Sequence, residues 1–181
     1  MKRITRISSI VSAAIFVLFS LYAGNAFFEA GYQACKDVVV TVDESNHYNY
    51  STVFTGISLK SLPFFGAMLF LAITLTFVVL RTVHLKKSRF LYISFPMTLF
   101  SAFVFLKLNT LVYQLIFVSY TLHLDRPRFD SILAMDIIRY ALISLVLFAE
   151  ATHLTVSIAD QLQEHQKNKQ MEKGGMGGGM Y

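Results

Sequence analysis

The chain reads as an all-α integral membrane protein, a four-helix bundle with one long helix and a larger first outer loop, and three observations predict it. Of its 181 residues, 55% are hydrophobic and only 15% charged, more apolar surface than a water-soluble domain of this size needs to bury. The apolar residues gather in four blocks, 7–23, 62–80, 90–122 and 132–158. The last three match or exceed the ~20 residues that a helix needs to cross ~30 Å of hydrocarbon, and the first falls just short. Ten of the sixteen Lys and Arg flank these blocks on one side: Lys2, Arg3, Arg6, Arg81, Lys86, Lys87, Arg89, Lys167, Lys169 and Lys173. The positive-inside rule then puts both termini and the 81–89 link in the cytoplasm or its equivalent, with 24–61 and 123–130 on the other side.

Residues 1–160 form a single transmembrane domain with helices at about 7–24, 62–82, 90–122 and 131–160. The first block also fits a cleavable signal peptide, with its basic start and small residues near Ala23-Gly24-Asn25-Ala26. Retention as a helix is the reading taken, and the other three helices keep their orientation either way. Its Ser8, Ser9, Ser12, Ala13 and Ala14 permit close helix approach. In the outer loop, 25–61, the β-branched run Val38-Val39-Val40-Thr41-Val42 predicts one hairpin. Asn49-Tyr50-Ser51 fits an N-glycosylation site on the outer side. Ser61-Leu62-Pro63 suits a helix start, Ser as a cap and Pro in the first turn.

The block 90–122 spans ~50 Å as a helix and must tilt, protrude or break. We read one long helix with Pro96 near its start, Lys107 and Asn109 interrupting its apolar surface, and an outer end from Tyr113 to Leu122 packed against the outer loop. The last helix runs on past the membrane into a polar helical extension at 161–170, and residues 161–181 are cytoplasmic and end in a flexible Gly/Met tail.

The last block carries charges into the bilayer. At 100° per residue, Arg139 and Glu150 point within about 20° of each other, Asp136 lies within about 60° of both, and Ser157 continues that side. Lys107 on the preceding helix is depth-matched to Asp136, whereas Glu150 sits nearer the inner face. Charges at such depth normally face a bundle interior, a partner or water. Lys107, Asp136, Arg139 and Glu150 are therefore the candidate partner-binding or polar-path residues.

No catalytic, cofactor or metal residues are assigned. GxGxxG, phosphate-loop, GxSxG and HExxH patterns are absent, and the single Cys35 supports neither a disulfide framework nor a CxxC site. His84 and His153 share a depth that would suit haem, but two surface-facing histidines at the headgroup boundary are the preferred reading. His47 and His123 supply no metal spacing. The net charge of +5 marks orientation in the membrane, not nucleic-acid binding. Four crossings with a larger first outer loop resemble claudin-like, tetraspanin and MARVEL proteins in topology. With no Trp and one Cys, the claudin and tetraspanin signatures are missing, and no local motif supports MARVEL.

The expected function is a non-enzymatic membrane scaffold or accessory subunit that binds other membrane proteins, or itself, through these charges and the outer loop. The alternative is a small oligomeric channel or transporter subunit with a polar path along the last helix.

Overall fold

The computed structural model describes residues 2–45, 47–122 and 129–175, with side chains for 2–45, 47–111 and 135–171. Four helices, α1 (Lys2–Ala34), α2 (Leu62–Val83), α3 (Arg89–Leu122) and α4 (Phe129–Gly175), form the expected bundle, and a hairpin of β1 (Lys36–Val42) and β2 (Tyr48–Phe54) joins α1 to α2. All four helices are long and apolar enough to span a membrane. The bundle has a basic end, where the α2–α3 link and the start of α1 meet, and a hairpin end.

Each helix buries a seam with alternating three- and four-residue steps. On α2 it runs Phe64, Ala67, Leu71, Thr74, Val78, Arg81, and on α4 it runs Arg139, Ile143, Val146, Glu150, His153, Ser157. A repeat near 3.5 residues keeps one narrow face toward a neighbour along the whole length, as in left-handed bundles. The α1 seam is mostly small residues, among them Ser9, Ser12, Ala13, Ala23, Ala30 and Ala34, with Phe16, Phe19 and Phe27 between them. Small residues matter here because lipid is as apolar as the helices, so association depends on close packing. Of the five small residues noted early in α1, Ser9, Ser12 and Ala13 are buried, while Ala14 points outward.

Helix α1 is the hub: it packs along α2 and α4 and also touches α3 across the bundle. The crossing contact is aromatic. Phe105 of α3 meets Phe19 edge-on at 5.5 Å between centroids and Phe27 at 5.6 Å, geometries that suit the ring quadrupoles.

The end of α1 differs from expectation. Helix α1 continues ten residues past Gly24, because Phe27, Ala30 and Ala34 extend its buried seam. Gly31 admits Phe65 so closely that an added Cβ would lie 3.0 Å from its ring. Helix α4 runs on through the polar extension to Gly175. The tail beyond it lies outside the described residues, as do His123 and the side chains of 113–122 that were expected to meet the outer loop. Pro63 takes the first turn of α2, but Ser61 makes no side-chain cap. Its hydroxyl instead accepts from the Ser58 amide at 3.1 Å and donates to the Ser58 carbonyl at 2.9 Å, closing the turn before the helix.

The hairpin is tied to the end of α1. The Cys35 carbonyl accepts from the Thr55 amide at 2.9 Å and the Thr55 hydroxyl at 3.0 Å. Gly56, at φ +89°, then reverses the chain toward α2, a conformation glycine adopts without steric cost.

Candidate functional site

The polar groups collect at two levels. At the basic end Arg81 turns inward from the last turn of α2 and is 2% exposed, facing Glu150 of α4 at 1%. Nη1 donates to Glu150 Oε2 at 2.7 Å and to Ser94 Oγ of α3 at 3.2 Å. Nη2 donates to Glu150 Oε1 at 3.0 Å and to Ser12 Oγ of α1. The Ser12 hydroxyl in turn donates to Glu150 Oε1, and Ser94 donates to the Leu91 carbonyl at 3.4 Å. Each hydroxyl thus accepts once and donates once, and four helices meet on one bidentate ion pair. Among the described residues only Nε of this guanidinium lacks a hydrogen-bond partner.

His153, one turn beyond Glu150, is 1% exposed, contrary to the expectation of a surface-facing histidine. Its Nδ1 lies 3.0 Å from Ser8 Oγ, which donates to the Thr5 carbonyl at 2.9 Å. The α4 seam brings His153 against α1 for the same reason it buries Glu150. His84 is exposed and stacked on Phe90 at 5.7 Å.

Toward the hairpin end, Arg139 is 4% exposed. It lies 3.7 Å from Asp136 and donates from Nε to Tyr22 Oη of α1 at 3.3 Å. Asp136 is half-buried at the rim. Lys107 stands on the exposed face of α3 with Nζ 5.8 Å from the Phe103 ring centroid. Of the four candidates, Asp136 and Arg139 are brought together, Glu150 belongs to the other level, and Lys107 remains outside.

Eleven residues of α4 separate Glu150 from Arg139, about 16 Å of helix. Phe16 and Phe19 at 0% exposure, Phe105 and Val146 at 1% and Ile143 at 5% fill the space between. Thr74, Thr98 and Ser101 line the α2–α3 seam beside this filling, where Ser101 donates to Thr74 at 3.2 Å and Thr98 to the Ser94 carbonyl at 2.8 Å.

Sequence reasoning counted Arg81 with the basic link and so missed the partner of Glu150. The signal was its spacing, three residues after Val78 on the 64, 67, 71, 74, 78 seam. Among the described residues no group of three His, Cys, Asp or Glu could hold a metal. No protein-family model, no curated protein and no solved structure matches this chain.

Proposed function

We propose that this chain is a non-enzymatic membrane scaffold or accessory subunit: a closed four-helix platform that recognises other membrane proteins through its outer hairpin and the charged rim beside it. The exposed hairpin carries this reading. Every residue of β2 and all of β1 except Lys36 are exposed, and a lone two-stranded hairpin is marginal in water. The ladder bonds run through Thr55 to Cys35 and Asp43 to His47, so by alternation the amides of Tyr48, Tyr50, Thr52 and Phe54 point out from the edge. Such an edge suits main-chain pairing with an extended outer segment of another membrane protein.

The intramembrane charges favour the platform role over docking, because Arg81 and Glu150 satisfy each other and Arg139 is held by Asp136 and Tyr22. The aromatic filling between the two levels speaks against a polar path through one chain. Asp136, paired with Arg139, and Lys107 stand at the rim. The basic end is assigned to the cytoplasm on the positive-inside rule, which makes the hairpin external or lumenal.

The test is mild-detergent purification of tagged protein with mass spectrometry of what accompanies it. The wild type is compared with Asp136→Asn and with Thr52→Pro, which removes an edge donor but no ladder bond. A stoichiometric membrane protein present in the wild type and depleted at least fivefold in Thr52→Pro is expected. A lone homo-oligomer in every case, with ion flux when the pure protein is placed in liposomes, would instead favour the channel reading.

A further inference from the structure

The hairpin has two unlike faces. In the observed register Val38 sits opposite Thr52, Val40 opposite Tyr50, Val42 opposite Tyr48 and Lys36 opposite Phe54. Because side chains alternate along a strand, these eight share one face, and Asp37, Val39, Thr41, Asn49, Ser51 and Val53 share the other. The first face is apolar with a single lysine at its base, yet Val40 is 49% exposed, Val42 57%, Tyr48 65%, Tyr50 52% and Phe54 60%. Nothing in the described chain covers it except at the root, where Phe54 lies 6.2 Å from Tyr32 of α1 and Lys36 sits 4.1 Å over the same ring.

We infer that this apolar face rests on the headgroup region of the bilayer at the hairpin end. The depth fits. Helix α2 has 22 residues, about 33 Å, so it crosses the ~30 Å hydrocarbon with little to spare and Leu62 marks its boundary. The hairpin root lies beside that point, since Ser58 Oγ donates to the Ala34 carbonyl at 3.5 Å and Phe65 packs on Gly31. The headgroup zone adds roughly 5–8 Å on each side, which is where the hairpin begins.

The surface is also continuous with the lipid-facing helices. Phe28 at 53%, Tyr32 at 44%, Ile57 at 74%, Leu59 at 85% and Leu62 at 51% exposed join the outer surfaces of α1 and α2 to the hairpin face. In water this chain of apolar groups is unfavourable; at a membrane boundary it is buried. Tyrosines with valines and a lysine are the composition expected of an element lying in the interface plane. The face carrying Asp37, Thr41, Asn49 and Ser51 is then turned to water. The lipid contact leaves the strand edges free and does not depend on any protein partner.

The chain contains no Trp, so one introduced indole reports without background. Full-length Tyr50→Trp and Ser51→Trp proteins are reconstituted in phosphatidylcholine vesicles, with and without acyl chains brominated near the headgroup. Tyr48→Trp serves as a second probe of the apolar face should Tyr50→Trp fold poorly. Indoles on the apolar face are expected to emit at shorter wavelength and to be quenched at least threefold more by the bromines than the indole at position 51. Equal, water-like emission from both faces overturns the inference. So does a blue shift without bromine quenching, or one that grows with protein-to-lipid ratio, either of which assigns the face to a protein.

Discussion

Arg81 and Glu150 show how neighbours set the cost of a charge. Either one alone at its 1–2% exposure would be an uncompensated ion in the bundle, and removing one member of a buried pair costs on the order of 3–5 kcal/mol. Removing both and filling the space with apolar groups costs far less. Glu150→Gln and Arg81→Met are therefore each expected to destabilise the detergent-solubilised protein by about 3–5 kcal/mol. The Arg81→Met/Glu150→Leu double variant should recover most of that loss. Unfolding measured as a double-mutant cycle decides it, and strictly additive losses would mean that the two side chains do not stabilise each other. The shared side of Arg139 and Glu150 was legible because helix geometry alone fixes it. The partner of Glu150 was not, because Arg81 stands beside His84, Lys86 and Lys87 and reads as one more interfacial anchor. Lys107 was misleading in the opposite sense: its position in an apolar block suggested an inward charge. Yet it lies eighteen residues past Arg89, about 27 Å along α3, where its long stem can reach the far interface.

At the scale of elements, the crossings of α2 and α3 could be read from block length, and the hairpin from the β-branched run 38–42. The end of α1 could not. Gly24-Asn25 looks like a stop, but glycine is tolerated in membrane helices, and the seam of Ala23, Phe27, Ala30 and Ala34 carries the helix onward. Strand register also gives the Asn49 tripeptide a context. Asn49 is exposed on the face it shares with Asp37, Thr41 and Ser51, and the orientation proposed above from the positive-inside rule would turn that face toward the compartment where glycosylation occurs. Expressed in a eukaryotic host, the protein is expected to lose apparent mass on treatment with an amide-cleaving glycosidase, and Asn49→Gln to migrate at the deglycosylated position untreated. Unchanged migration of the wild type would count against this orientation or against access to the site.

For the whole molecule, the decisive fact is that α1 is the central helix. It supplies Ser12 to Arg81, Tyr22 to Arg139, Ser8 to His153, and Phe16 and Phe19 to the layer between the two polar levels. A signal peptide cut near Ala26 would take all five away. The remaining three helices would expose the Arg81–Glu150 pair on one side and leave Phe105 without Phe19. Retention is therefore expected: the intact mass of protein purified through a carboxy-terminal tag should include residues 2–26. A variant whose coding sequence begins at Phe27 should fail to give a monodisperse species in detergent, because it loses the surface on which α2 and α4 both pack. A mature wild-type protein lacking residues 1–26 yet monodisperse and membrane-bound would overturn both expectations. The Arg81–Glu150 pair would then need a second chain to cover it.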